Sequence, residues 1–296
     1  MRAFILYALL LIPAAAPVAS AQRTFRTVGE DFRNGFSDML WLWASPLRAD
    51  GRQWLDFAGV LAGSAAVGIY DGEIQDWLAE HPHSVPIQVL RPFGEDESIP
   101  LTDLGSGKRL LPVSGLIYLI GFVADSRDLR DAGIGCAASQ QVQTITHELA
   151  FHVVARQRPR ESGPAPYVVG ADPYVFEYFQ STPWPMHSFY GGHGASAMAC
   201  ATFLSERFDL GIGEPLLYAT ALGIAFARVS DGRHWTSDTI VGLAFGHAIG
   251  RSIAGRQKAR AERRDGEESA SAEPDDGGLY VGGDARGLLL GWRRSF

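Results

Sequence analysis

The sequence predicts an all-α protein. Hydrophobic residues make up 46% of the 296 residues. Charged residues make up 20%, below the roughly 25% that is usual for soluble domains, which favours helices with much buried surface. Apolar stretches that are rich in Gly and Ala recur along the chain. We predict helices over residues 55–70, 110–124, 132–155, 195–208, 215–229 and 237–253.

The N-terminal residues have the pattern of a secretory signal. A basic start at Arg2 precedes an apolar run that reaches Val18, and the small-residue triplet 19–21 follows it. The run is short and contains prolines, which argues against a membrane anchor. We therefore predict a signal peptide over 1–21 and a mature protein that is secreted across the inner membrane, either periplasmic or envelope-associated.

The other apolar segments bear on membrane attachment. Each is shorter than the ~18–20 apolar residues that a spanning helix needs, which favours core helices of a globular or peripheral domain and leaves an integral membrane protein as the alternative. Residues 22–50, which include Trp41 and Trp43, are expected to form an amphipathic segment on the domain or on a lipid surface. The net charge of −7 argues against a nucleic-acid partner.

Composition shifts divide the chain into regions. Residues 22–109 are expected to form an N-terminal helical and loop region, and 110–253 the domain that carries the chemistry. Residues 156–192 contain six prolines and several aromatic residues, as in a lid, a binding loop or a disordered segment. Residues 254–278 are predicted to be a disordered charged linker, followed by a C-terminal segment over 279–296.

The chain contains two cysteines, Cys136 and Cys200, each inside an apolar stretch. No framework of several paired cysteines exists. We therefore expect both to be small buried apolar side chains rather than partners in a disulfide.

The strongest local signal for chemistry is the segment 228–238. An apolar helix ends at Arg228, a short polar turn holds His234, and Asp238 follows four residues later. We expect the aspartate to accept a hydrogen bond from one ring nitrogen of the histidine, which leaves the other nitrogen as a nucleophile. Arg228 offers a fork of donors that suits phosphate oxygens. The alternative is a surface turn whose charges cap two helices.

A second signal is the segment 188–193, in which two glycines precede His193 at the start of a Gly/Ala-rich helix. Backbone N–H groups at Gly192 and at a helix start attract anions, so His193 is a candidate proton donor beside a phosphate. The alternative is a glycine turn with an incidental histidine.

A third signal is the arginine cluster 156–160. Arginines at a helix C-terminus are favourable for the helix dipole alone. Pro159 fixes the direction of the exit and directs Arg158 inward.

Together these segments resemble the three signature motifs of the type 2 phosphatidic acid phosphatase and vanadium haloperoxidase superfamily. Its pattern is Lys, six residues, Arg-Pro; then Pro-Ser-Gly-His; then Ser-Arg, five residues, His, three residues, Asp. Arg158-Pro159, Gly192-His193 and the set Arg228, His234 and Asp238 fit it in order and spacing. The resemblance covers about residues 110–253.

The resemblance implies a helical bundle of that family's kind and a phosphoric ester hydrolase with no metal and no cofactor. In this mechanism His234 attacks phosphorus, Asp238 orients it, and His193 protonates the leaving group and then activates water. Arg158, Arg228 and Gly192 bind the phosphate oxygens. The implied substrate is a phosphomonoester or pyrophosphate, with a lipid phosphate favoured by export and by the aromatic loop.

The chain also departs from the family pattern. Phe151 stands at the lysine position, Tyr190 and Gly191 at the proline and serine positions, and Ala227 at the serine of the third motif. Two phosphate contacts are therefore absent, which predicts weakened activity or an altered substrate unless Arg156 or His152 replaces the lysine and the backbone N–H of Gly191 replaces the serine hydroxyl. The alternative functions are a vanadate-dependent haloperoxidase and a decayed, envelope-associated binding or structural protein.

The segment 147–152 has an incomplete resemblance to a zinc-protease motif. Its histidines, His147 and His152, are five residues apart rather than four. This spacing puts them on different faces of a helix, so we expect no shared metal.

Overall fold

The computed structural model describes residues 18–94, 101–160, 172–179, 186–272, 279–284 and 287–292. The chain forms two compact units, Met1–Gln257 and Lys258–Phe296. Residues 1–17 of the expected signal peptide lie outside the described residues, as does part of the proline-rich loop.

Helices dominate the structure, and the all-α prediction is confirmed. The predicted helices are present with ends that differ by a few residues, apart from the much longer last helix, and three further helices occur within the described residues 18–94. The helices are α1 Val18–Trp43, α2 Gly51–Gly68, α3 Asp71–Glu80, α4 Val85–Leu90, α5 Gly107–Val123, α6 Arg127–Val153, α7 Gly192–Arg207, α8 Gly213–Ser230 and α9 Thr236–Ala272. No helix in the described part of the chain is both long enough and apolar enough to cross a membrane.

Local sequence signals explain where two of these helices begin. Asp50 accepts a hydrogen bond from the backbone N–H of Gln53 at 2.8 Å, and the Gln53 side chain accepts one from the Asp50 N–H at 3.0 Å. This reciprocal capping box starts α2. The hydroxyl of Ser126 caps α6 with a single bond, by accepting from the backbone N–H of Leu129.

The core of the first unit lies between α6, α7 and α9, where small residues allow close approach. Phe203 of α7 is fully buried and fills the space beside Gly135 of α6, where a Cβ atom would overlap with its ring. Ile249 and Ile253 of α9 close the same cluster. The high Gly and Ala content of the sequence therefore serves helix packing at short distance.

Cys136 of α6 and Cys200 of α7 form a disulfide within this core, with Cα atoms 4.7 Å apart. The expectation of two unlinked thiols is therefore wrong. The cysteines are 64 residues apart in sequence, and only the close packing of α6 on α7 brings them within bonding distance.

Two short antiparallel pairs complete the structure. β1 (Val154–Arg156) pairs with β2 (Phe176–Tyr178) and thereby connects the end of α6 to the proline-rich region. In the second unit, β3 (Leu279–Asp284) pairs with β4 (Gly287–Trp292). Residues 254–272 belong to α9, whereas the sequence predicted a disordered linker over 254–278; residues 273–278 lie outside the described residues.

Candidate active site

The third motif forms the turn between α8 and α9. Arg228 lies in the last turn of α8 and is buried. Gly232 has φ of +67°, a conformation that glycine adopts without strain, and this reverses the chain. Trp235 is fully buried and donates its indole N–H to the carbonyl of Gln157 at 2.7 Å, which holds the turn against the first motif.

His234 is 2% exposed, and its Nδ1 lies 2.7 Å from the backbone carbonyl of Ser188. A carbonyl oxygen can only accept a hydrogen bond, so Nδ1 carries the proton. In the neutral ring Nε2 is then unprotonated and carries the lone pair that a nucleophile needs.

The electrostatic surroundings keep His234 neutral. Burial is the largest cause of a pKa well below the usual value, and the positive charges of Arg158 and Arg228 lower it further. His147 makes a smaller contribution in the same direction. Arg158 of the first motif and Arg228 of the third therefore both lower the pKa of the same imidazole.

Asp238 does not bind His234, which differs from the sequence-based expectation. One carboxylate oxygen accepts from Arg156 at 2.6 Å and the other accepts from the Ser188 hydroxyl at 2.6 Å. Burial raises the pKa of Asp238 to about 6, although Arg156 and Ser188 both oppose the rise. The carboxylate therefore positions His234 indirectly, because it fixes the serine whose carbonyl binds the ring.

Asp71 joins this buried network from the first turn of α3. Its carboxylate accepts from Arg156 at 2.9 Å, from the Ser237 backbone N–H at 3.0 Å and from the Ser237 hydroxyl. The contact with the Ser237 N–H satisfies a backbone donor in the first turn of α9. Arg156 is thus held between two buried carboxylates, Asp71 and Asp238.

The second motif lies against the start of α9. The backbone N–H of Gly191 donates to the Asp238 carbonyl at 3.2 Å, and Gly192 begins α7. His193 is the second residue of α7 and is partly exposed. Tyr190, at the family's proline position, is buried and stacks on Phe245 with ring centroids 5.2 Å apart.

In the first motif, Arg156 and Arg158 have different surroundings. Arg158 is half-buried, donates from Nε to the His187 carbonyl at 3.2 Å, and lowers the pKa of three neighbouring histidines. Arg156 forms ion pairs with two buried carboxylates. His152 is exposed, and its Nδ1 lies 2.8 Å from the Glu148 carbonyl. Neither residue therefore stands in for the absent lysine.

Sequence reasoning missed several residues of this site. Asp71 belongs to the N-terminal region, far from the motifs in sequence, so no spacing rule relates it to them. Ser188 acts partly through its backbone carbonyl, which leaves no signature in side-chain chemistry. The sequence pattern around His147 resembles only a metal-ligand motif, yet the charge of Arg158 lowers the pKa of this histidine.

Comparisons with known proteins agree with the motif pattern. A model of the PAP2 superfamily matches residues 137–260, a segment that contains the matched residues of all three motifs. The phospholipid phosphatase homolog 1.2 homolog of Caenorhabditis elegans is 35% identical over 68 residues, which is 19% of this chain and 20% of that protein. The chain thus spans about a fifth of the length of the curated relative that it matches.

A solved structure is also similar in part. The first transmembrane PAP2 type phosphatidylglycerolphosphate phosphatase from Bacillus subtilis matches with a TM-score of 0.46 and 20% identity, over 70% of this chain and 94% of that one. The chain therefore resembles the PAP2 superfamily over residues 137–260, the part that carries the three motifs.

Proposed function

We propose that this protein is a phosphatase that hydrolyses phosphomonoesters or pyrophosphates through a phosphohistidine at His234. The observation that carries the proposal is the hydrogen bond from Nδ1 to the Ser188 carbonyl, which directs the lone pair of Nε2 away from that bond. Arg158 and Arg228 are close enough to lower the pKa of this ring, so their charges also attract a phosphate that approaches it.

The reaction proceeds in two displacements. Nε2 of His234 forms a bond to phosphorus while the ester P–O bond breaks, and His193 gives its proton to the departing oxygen. His193 then removes a proton from water, whose oxygen attacks phosphorus and releases His234 and phosphate. Arg158, Arg228 and the backbone N–H at Gly192 bind the equatorial oxygens, and no metal ion takes part.

A lipid phosphate is the substrate class that the surface of the protein favours. Several helices have polar side chains inside and apolar side chains outside. In α1, Asp38 is 0% exposed while Phe25 is 77% exposed; in α5, Ser114 is 1% exposed while Val123 is 87% exposed. Further exposed apolar side chains are Phe32, Phe36, Leu55, Leu116, Leu119 and Leu149. Such faces are stable against lipid chains and costly against water.

An apolar groove next to the site also suits a lipid tail. It has a volume of about 490 Å³ and lies between α2 and α9, where Trp54, Phe57 and Phe245 line it. Phe245 stacks on Tyr190, two residues before Gly192. An acyl chain in this groove would lie close to the segment that begins α7. We therefore propose a protein that associates with a membrane and draws its substrate from it.

The disulfide between Cys136 and Cys200 supports a location outside the cytoplasm. Disulfides persist in oxidising compartments and are rare in the reducing cytosol. This agrees with the expected secretory signal, so we propose a periplasmic or envelope-associated protein.

The proposal is tested with the full chain in detergent and on vesicles. We expect phosphate release from p-nitrophenyl phosphate and from short-chain phosphatidic acid, and loss of both in His234→Ala. His193→Ala should accumulate acid-labile phosphoenzyme, because p-nitrophenol leaves without a proton but hydrolysis of the intermediate needs the base. His247→Ala, which changes an exposed histidine of α9, is the matched control.

Each alternative function has its own outcome in the same experiment. Peroxide-dependent bromide oxidation by the vanadate-loaded protein would support the haloperoxidase. If the protein neither releases phosphate nor binds it, the result would support the decayed binding or structural protein. Failure to float with phosphatidylethanolamine–phosphatidylglycerol vesicles would refute the membrane association.

A further inference from the structure

His147 lies on α6, one helical turn before Phe151, the residue at the family's lysine position. Residues four apart share a helix face, so both rings point to the same side. Their centroids are 4.0 Å apart, and the His147 ring also meets Tyr190 edge-on at 5.0 Å. Phe151 in turn stacks on His187 at 4.3 Å. Rings therefore fill the space where the family pattern has a lysine.

The other edge of the His147 ring faces the start of α7. A Cβ atom on Gly192 would overlap with Nε2 of His147, so only glycine leaves room for the imidazole here. The first backbone N–H groups of a helix attract anions, and Nε2 lies next to Gly192, the first residue of α7. The charge of Arg158 acts on both His147 and His234, which places all three side chains around one region.

The hydrogen-bond pattern of His147 defines its tautomer. Nδ1 is buried and has no hydrogen-bond partner among the described residues. A buried N–H without an acceptor is rarer and more costly than a bare lone pair, so the proton belongs on Nε2. Burial, Arg158 and His187 lower the pKa of His147 to about 3, so the ring is neutral and Nε2–H is a donor.

We propose that His147 is a substrate-binding residue that donates a hydrogen bond from Nε2 to a phosphate oxygen at the start of α7, in place of the absent lysine. The inference rests on the proposed phosphatase function and deepens it. A neutral donor suits this position because Arg158 already supplies positive charge, and an ammonium group enclosed by rings would lose its proton.

The test compares two variants of the full-length protein. His147→Gln keeps an N–H donor at the same number of bonds from the backbone, and His147→Leu removes it. We expect the leucine variant to bind inorganic phosphate about 10-fold or more weakly by calorimetry and to raise KM for p-nitrophenyl phosphate, since a donor to a charged group is lost. The glutamine variant should stay within about threefold of the wild type. His81→Leu, which removes an exposed histidine stacked on Trp77, is the control.

A measurement on the unmodified protein avoids any folding defect of the variants. In protein with ¹⁵N-labelled histidines, added phosphate should shift an Nε2–H signal that is missing from His147→Gln. An unshifted signal, or equal phosphate affinity in the leucine variant, overturns the inference while phosphatase activity stands. Equal losses of phosphate affinity in the glutamine and leucine variants, with an unchanged melting temperature, also overturn the inference, because they indicate that His147 acts through ring packing. A wild type that neither binds nor releases phosphate refutes the proposed function itself, and this inference with it.

Discussion

Arg156 and Arg158 are two residues apart, but they differ in burial and in the groups that they contact. Arg156 is buried and bonded to two carboxylates, Asp71 and Asp238. Arg158 is half-buried, and its positive charge lowers the pKa of His147, His187 and His234. Arg156 is not among the charges that shift these histidines.

The difference shows how one short arginine cluster serves both fold and chemistry. The charge of Arg156 is neutralised inside the protein, and its bonds connect α3, β1 and the start of α9. The charge of Arg158 reaches the imidazole that we propose as the nucleophile. We therefore expect substitutions of Arg156 to act on stability and substitutions of Arg158 to act on phosphate binding.

The largest expected effect is that of Arg156→Met. This change leaves Asp71 and Asp238 buried without their cation, and removing one partner of a buried ion pair costs about 3–5 kcal/mol. Denaturant unfolding should show a loss of this size in the free energy of unfolding. Arg156→Lys, which keeps the charge but not the fork of donors, should lose less. A loss below about 1 kcal/mol in the methionine variant would mean that the network does not support the fold.

Arg158→Met should give the reverse pattern. We expect the free energy of unfolding to change by less than about 1 kcal/mol, because the side chain is half-buried. Phosphate binding should weaken by about 1.5–3 kcal/mol, the value of a hydrogen bond to a charged group. Calorimetry with inorganic phosphate measures the affinity. A stability loss that matches that of Arg156→Met would remove the distinction between the two arginines.

The sequence predicted much of the helical framework, but little of the difference between Arg156 and Arg158. Helices α5 to α9 follow from apolar periodicity and turn residues, which are local properties. The motif spacing identified Arg158, His193, Arg228 and His234 as candidates for the site, and their roles stay predictions. The spacing could not show that Asp238 binds Arg156 and Ser188 rather than His234. That arrangement depends on β1, on segment 186–191 and on α3, which meet only in the folded chain.

The Cys136–Cys200 disulfide was missed for a related reason. Neither cysteine lies in a paired framework, and the sequence therefore favoured two buried thiols. The contact requires α6 and α7 to approach closely over Gly135 and Ala199, which is a property of helix packing. The local pattern of a single sequence does not show which distant residues come close together in the fold.

Ser188→Ala tests the buried network that Arg156 forms with Asp238. The hydroxyl donates to Asp238 at 2.6 Å and accepts from the backbone N–H of Trp235 at 3.3 Å, while the backbone carbonyl of Ser188 accepts from His234. Alanine removes the hydroxyl alone, so we expect a stability loss of about 1–2 kcal/mol and a fall in kcat of less than about tenfold. Unfolding and steady-state kinetics measure the two. A fall in kcat as large as that of His234→Ala would mean that the hydroxyl, and not the carbonyl, orients the ring.

The smallest expected effect is a shift in the titration of His234. Burial is the largest cause of its low pKa and Arg158 the second, so the wild-type ring should stay neutral from about pH 6 to 8. Arg158→Met removes one positive neighbour and should raise the pKa of His234, but not to the usual value, because the burial remains. Arg156→Met should leave this pKa almost unchanged where the protein is still folded. Histidine ¹⁵N chemical shifts followed against pH report the protonation state directly. If Arg156→Met raises the pKa of His234 as much as Arg158→Met does, the charge of Arg156 also reaches the nucleophile. The two arginines would then differ in burial but not in function.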